Sequence, residues 1–222
     1  MLHKTKAVIF DLDGTMADSM TVWTDIDHLF FKNRGITVPK TLQQDIEGKS
    51  FTETAEYFVK TFSLPETVEE LKAVWHSQAI EQYQYHVALK PGILEFLTYL
   101  KSRSVKIGIA TSNSRDLLNA FLEARSLTGY IDVSVTSCDV SAGKPAPDVY
   151  LKTAELLKIS PEECLVFEDV PMGILAGKRA GMKVCAVEDA YSADQRTRKR
   201  ELADFYINDY FQILQSDYEV LP

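Results

Sequence analysis

Asp11 and Asp13 stand two residues apart where the apolar run Ala7-Val8-Ile9-Phe10 meets Gly14. The run is rich in β-branched and aromatic residues and too short for an independent helix, which predicts a buried strand. Residues two apart on an extended chain share a face. Both carboxylates are therefore expected in one pocket at the carboxyl end of the strand, where open α/β sheets bind their ligands. Two acids so close repel one another, so the pocket calls for a cation or a shared proton. That combination fits phosphoryl transfer, which asks for positioning and neutralisation of oxygen charge more than anything else.

Three later segments carry matching chemistry. In Ala110-Thr111-Ser112-Asn113, hydroxyls, backbone N–H groups and the Asn113 amide are placed to bind phosphate oxygens beside the next helix. The same residue types are preferred helix caps, and both readings stand. Lys144 sits on a loop stiffened by Pro145 and Pro147, which suits a partner for Asp11 and for a phosphoryl group better than a solvated charge. Leu165-Val166-Phe167 ends on Glu168 and Asp169, an oxygen-rich pair suited to Mg²⁺ and equally to the acidic first turn of a helix. Each segment alone has an ordinary structural reading; their order at successive strand ends is what one chemistry needs.

The elements that must position these residues follow from the pattern. Strands are predicted at 7–10, 106–110, 133–137, 165–168 and 183–187, with helices at 115–123, 148–157 and 172–180 between them. Such alternation implies a parallel sheet with helical crossovers. Between residues 16 and 89 helical periodicity takes over, as at 52–59 and 68–85, and no convincing strand is visible. The expected fold is α/β, a Rossmann-like parallel sheet core (1–15 and 90–222) flanked by helices, with an inserted α-helical cap domain (16–89). The two connections to the insertion are natural hinges. Asp25, Asp27 and His28 on the first cap helix are expected on a solvated surface, and so is the basic run 196–200.

Composition narrows the class. The 222 residues are 45% hydrophobic, enough for one substantial core with a satellite. A balance of 24 basic against 32 acidic residues gives a formal charge of -8, which disfavours a nucleic-acid or anionic-membrane surface. No segment reaches transmembrane length, and the first residues lack the pattern of a signal peptide. Cys138, Cys164 and Cys185 are odd in number and widely spaced, as expected of free thiols in a reducing cytoplasm rather than of a disulfide framework or zinc site.

Taken together, DLDGT, ATSN, GKPAPD and FEDVPMG resemble the four motifs of the haloacid-dehalogenase-like hydrolases. The helical insertion after the first strand is similar to the cap of the β-phosphoglucomutase-like and phosphoglycolate-phosphatase-like branch. The resemblance implies that Asp11 is the nucleophile that forms an aspartyl-phosphate and that Asp13 is the general acid/base. It implies that Thr111, Ser112, Asn113 and Lys144 bind the phosphoryl oxygens. Asp11, the backbone carbonyl of Asp13 and Asp169 are implied Mg²⁺ ligands, with Glu168 as an additional or water-mediated one. Members that resemble dehalogenases lack an acid where this chain has Asp13, and those that resemble P-type ATPases carry Thr there, so Asp13 points to phosphoesters.

The cap sets the substrate, and here the chain departs from the mutase pattern. It has Trp23 where the mutases carry histidine, and Phe51 after Gly48-Lys49-Ser50 where they carry arginine. Their cap lysine has no counterpart near Trp75-His76. Lys49 stays open as a contact for a second phosphate. Trp23, Phe51 and the Asp18-Ser19-Met20 turn are candidates for the pocket wall, with cap core as the alternative for Trp23 and Met20. The expectation is a cytoplasmic Mg²⁺-dependent phosphatase of a small phosphorylated metabolite such as a sugar phosphate, monomeric or dimeric, without nucleic-acid or membrane partners. A phosphosugar mutase and a catalytically idle binding or regulatory protein are the alternatives.

Overall fold

Ala7, Val8, Ile9 and Phe10 are all fully buried, as a central strand with both faces covered must be. A computed structural model describes residues 1–222, apart from the side chains of Trp23 and Gln43. In chain order, β1 (Ala7–Phe10) leads through β2 (Ala17–Asp18) into α1 (Met20–Arg34), α2 (Leu42–Ile46), α3 (Phe51–Thr61) and α4 (Val68–Tyr85). The chain returns through β3 (Ala88–Leu89) to α5 (Ile93–Ser102), β4 (Lys106–Thr111), α6 (Arg115–Ala124), β5 (Val133–Thr136) and α7 (Asp148–Leu157). It ends with β6 (Cys164–Glu168), α8 (Pro171–Arg179), β7 (Lys183–Val187), α9 (Arg196–Leu202), β8 (Phe205–Ile207), α10 (Phe211–Gln215) and β9 (Glu219–Val220).

Among the described residues, seven strands form one sheet in the order β5-β4-β1-β6-β7-β8-β9. The pairs are parallel except β8 with β9. From β1 the chain goes first to β4 and β5 on one side and then to β6 and β7 on the other. That reversal opens a crevice at the carboxyl ends of β4, β1 and β6, where a ligand can enter.

Alternation along β1 divides the core. Val8 and Phe10 join one apolar cluster, and Ala7 and Ile9 join the other. The first cluster extends without a break into the helical segment through Phe30, Phe31, Phe58 and Trp75. Under the sheet, Phe10 stacks on Phe167 at 5.2 Å and meets the edge of Phe96 at 6.1 Å. These rings fix the two strands that carry the acids.

The stretch 16–89, expected to contain no strand, holds a short one at each end. Ala17 pairs with Leu89 and Asp18 with Ala88, antiparallel. Two residues per strand are too few for alternation to show in the sequence. Within the stretch, Ser50 with Glu53 and Thr67 with Glu70 form capping boxes that start α3 and α4. No helix among the described residues is long and apolar enough to cross a membrane.

Candidate active site

The crevice gathers the sequence-predicted residues. Asp11 follows β1, Thr111 ends β4, Glu168 ends β6, and Lys144 is carried by the loop between β5 and α7. With Asp13 and Asp169 they line one pocket of about 210 Å³. Lys144, 4% exposed, donates from Nζ to Asp11 Oδ1 and to Glu168 Oε1, each at 2.5 Å, and to the Ala110 carbonyl at 3.1 Å. Burial alone would favour the neutral amine, but the carboxylates of Asp11 and Glu168 outweigh it and hold the ammonium above its usual range. Lys144 is thus a fixed positive charge beside the nucleophile candidate.

Glu168 is fully buried and well supplied with donors. Tyr150 donates to Oε1 at 2.6 Å and the Asp169 N–H donates to Oε2 at 3.1 Å. Gly173 leaves the room: a Cβ there would lie 1.9 Å from Glu168 Oε1.

The residues fit a divalent cation. Asp11, Glu168 and Asp169 each offer an oxygen, all within 4.8 Å of one another. Asp169 Oδ1 accepts from Thr15 Oγ1 at 3.0 Å, whereas Oδ2 is buried without a hydrogen-bond partner among the described residues. A carboxylate oxygen left so is costly unless a ligand meets it. Burial, then Glu168 and Asp11, push the Asp169 carboxyl well up, which is the repulsion a metal ion relieves. Gly14 makes space for this carboxylate: it adopts φ +77°, and a Cβ there would lie 2.1 Å from Asp169 Oδ2.

Asp13 is held by Ser19 and Asn113, which the sequence suggested for the pocket wall and for phosphate oxygens, and by Tyr83, which it did not single out. Ser19 Oγ donates to its Oδ1 at 2.6 Å, Tyr83 OH donates to the same oxygen, and Asn113 Nδ2 donates to Oδ2 at 3.0 Å. Asn113 also donates to Tyr83 OH at 3.1 Å, so its amide faces Asp13 rather than standing free for phosphate. Tyr83 closes a buried stripe on α4, Leu71, Trp75, Ala79 and Tyr83. Helical periodicity over 68–85 was visible in the sequence, but it carries no signal that the tyrosine at the end of this stripe reaches Asp13. Tyr150 likewise ended no motif, and only its burial beside Glu168 shows what it does. The helix after Thr111 is capped by Ser114, not by Ser112 or Asn113. Thr111 Oγ1 accepts from the Asn113 N–H, and Ser112 Oγ donates to the Gly48 carbonyl at 3.4 Å.

On the helical side, Lys49, Phe51, Met20 and Trp75 line the same pocket. The expectation for Trp23 falls on a side chain outside the described residues. Asp27, expected in solvent with Asp25 and His28, is buried and lines the pocket, because α1 turns that face toward the crevice; its two neighbours are exposed. The basic run also needs correction, for Lys199 is fully buried. It packs against β7 and the loop before α9, donating to the Val187 carbonyl and to Ser192 Oγ, each at 3.0 Å. Of the cysteines, Cys138 is exposed and Cys164 and Cys185 are buried, all as free thiols.

Comparison with known proteins places the chain in a family. Residues 8–187 match the model of the haloacid dehalogenase-like hydrolases. The validoxylamine A 7'-phosphate phosphatase of Streptomyces hygroscopicus subsp. limoneus is 30% identical over 85% of this chain and 88% of its own. Hexitol phosphatase A of Escherichia coli (strain K12) is 32% identical over 83% of each. The crystal structure of β-phosphoglucomutase from Clostridium difficile superposes with a TM-score of 0.78 at 22% identity, covering 96% of both chains. With polar side chains of all four segments gathered at one crevice and a family match spanning most of the sheet, the chain belongs to the haloacid dehalogenase-like hydrolase family.

Proposed function

We propose that the protein is a Mg²⁺-dependent phosphatase that hydrolyses a small phosphorylated metabolite, a sugar or polyol phosphate, through a phosphoryl group carried on Asp11. The observation that carries this reading is the ammonium of Lys144, clamped between Asp11 and Glu168 beside the unpartnered oxygen of Asp169. An oxygen of Asp11 attacks phosphorus, and the bond from phosphorus to the alcohol oxygen breaks as Asp13 protonates that oxygen. Asp13 then takes a proton from water, whose oxygen attacks the same phosphorus and releases Asp11. Lys144 and Thr111 offset charge on the phosphoryl oxygens. Asp11, the Asp13 carbonyl and Asp169 would hold Mg²⁺, with Glu168 close by, and when bound the ion draws charge from the phosphoryl group.

Hydrolysis is favoured over mutase chemistry by the lining of the pocket. Among the described residues its cations are Lys49 and Lys144, and Lys144 is engaged at the reacting end. Asp27 and Glu47 line it too, and they repel a second phosphate. The segment 16–89 serves as the cap over this pocket. The test is phosphate release from p-nitrophenyl phosphate and from a panel of phosphorylated sugars, polyols and nucleotides, with and without Mg²⁺. Mg²⁺-dependent release supports the reading; conversion of sugar 1-phosphates to isomers without release contradicts it.

A further inference from the structure

Lys199 is a fully buried lysine that the reaction outlined above does not use. It lies on α9, with its ammonium 5.7 Å from the centre of the Tyr206 ring. It donates to the Val187 carbonyl, the last residue of β7, and to Ser192 Oγ. Ser192 is itself buried, lines the pocket, and donates from Oγ to the main-chain carbonyl of Asp169 at 2.9 Å. A serine hydroxyl carries a single proton, and an ammonium can only donate. Lys199 therefore occupies the acceptor side of the hydroxyl and turns its proton toward Asp169.

We propose that Lys199 is a positioning residue for Asp169, acting through Ser192 to fix the main chain from which the cation-binding carboxylate projects. The proposal rests on the reading of Asp169 as a metal ligand. Asp169 is then held from two directions, its carboxylate by Thr15 and its backbone by the Lys199 and Ser192 pair. The wall carrying Ser192 is anchored at its other end, where Lys90 donates to the buried Asp189 at 2.7 Å.

Two roles for a buried ammonium near a metal site predict opposite signs. As a mere nearby positive charge, Lys199 would repel the cation, and its removal would tighten binding. As a positioning residue it favours binding, and its removal weakens it.

The experiment is calorimetric titration of Mg²⁺ into the wild type, Lys199→Met, Ser192→Ala and the double variant, with melting curves recorded in chelator. Each single variant is expected to raise Kd for Mg²⁺ about tenfold, the scale found when a group orienting a ligand is lost. Because the two residues act in series, the double variant should be no weaker than the worse single one. At saturating Mg²⁺, KM for p-nitrophenyl phosphate should stay at the wild-type value in Lys199→Met, whose side chain is outside the pocket lining. Wild-type Kd in both folded single variants, or tighter binding by Lys199→Met, overturns the proposal. If Lys199→Met does not fold, Ser192→Ala decides alone, since it removes the link and keeps the charge. A wild type that binds no Mg²⁺ overturns the metal reading and this proposal together, an outcome distinct from unchanged variants.

Discussion

Single residues at the site hold one another in place. Glu168 spends its oxygens on Lys144, Tyr150 and the Asp169 N–H, so it holds the lysine at Asp11 as well as adding to the acidic cluster. Removing the Tyr150 hydroxyl strips a donor from a fully buried carboxylate at a cost of about 1–3 kcal/mol. Tyr150→Phe should therefore fold, lose stability by that amount in urea unfolding, and show kcat lowered for every substrate alike. Gly14→Ala should be more severe. The new methyl group would need the space of Asp169 Oδ2 in a backbone conformation that L side chains avoid, so Mg²⁺-dependent turnover is expected to vanish in a steady-state assay. The motif residues Asp11, Lys144, Glu168 and Asp169 were legible because each ends a strand or stands on a proline-stiffened loop. Tyr83 and Tyr150 were not, because a buried hydroxyl reveals its partner only once two distant elements are packed together.

At the scale of elements, sheet and site share the same supports. Two loops that re-enter the sheet use an aspartate in the same way. Asp132 accepts from the Ile107 N–H of β4 and pairs with Lys101 and Lys106; Asp204 accepts from the Val184 N–H of β7 and pairs with Lys178 and Lys183. Burial opposes the charged form of both, but these N–H groups and lysines outweigh it and hold each carboxyl below its usual range. A depressed pKa contributes stability that is present above the unfolded value, about 3.9, and is lost as the pH falls through the folded value. Urea unfolding across a pH series should thus show a flatter loss of stability below about pH 4 for Asp132→Asn and Asp204→Asn than for the wild type. The alternation of strands and helices was legible in the sequence because each strand is a run of apolar residues. The two-residue strands β2 and β3 were not, since a period of two needs more than two residues to be seen.

Over the whole molecule, the helical segment packs onto the sheet through contacts that ring the crevice. Phe51 N–H donates to the Ser112 carbonyl at 3.1 Å, and Glu47 accepts from the Met172 N–H and from Gln195, each at 3.3 Å. We take the β2 and β3 pair as the hinge about which residues 16–89 move. On that reading the helical segment selects the leaving group, and the sheet serves the phosphoryl group that all substrates share. Phe51→Ala should reorder a panel of phosphorylated sugars and polyols by about tenfold in kcat/KM while p-nitrophenyl phosphate changes little. Lys144→Ala should depress every substrate alike. Equal losses across the panel for Phe51→Ala would make that ring a support of the helical core alone. Which charged side chains are buried was the least legible part of the chain. Asp27 and Lys199 looked solvated because charged residues on short polar stretches usually are, and only the docking of α1 and α9 buries them.

The central claim is that Asp11 carries the phosphoryl group, and acid quenching tests it most directly. Asp13→Ala, which should slow release from Asp11, is mixed with p-nitrophenyl phosphate and Mg²⁺, quenched, digested and examined by mass spectrometry. The account predicts one phosphoryl group on the peptide that contains Asp11, localised to that residue, labile to hydroxylamine and absent from Asp11→Asn. Turnover by the wild type with no such adduct on Asp11 in any quenched sample, or an adduct on another residue, would contradict it.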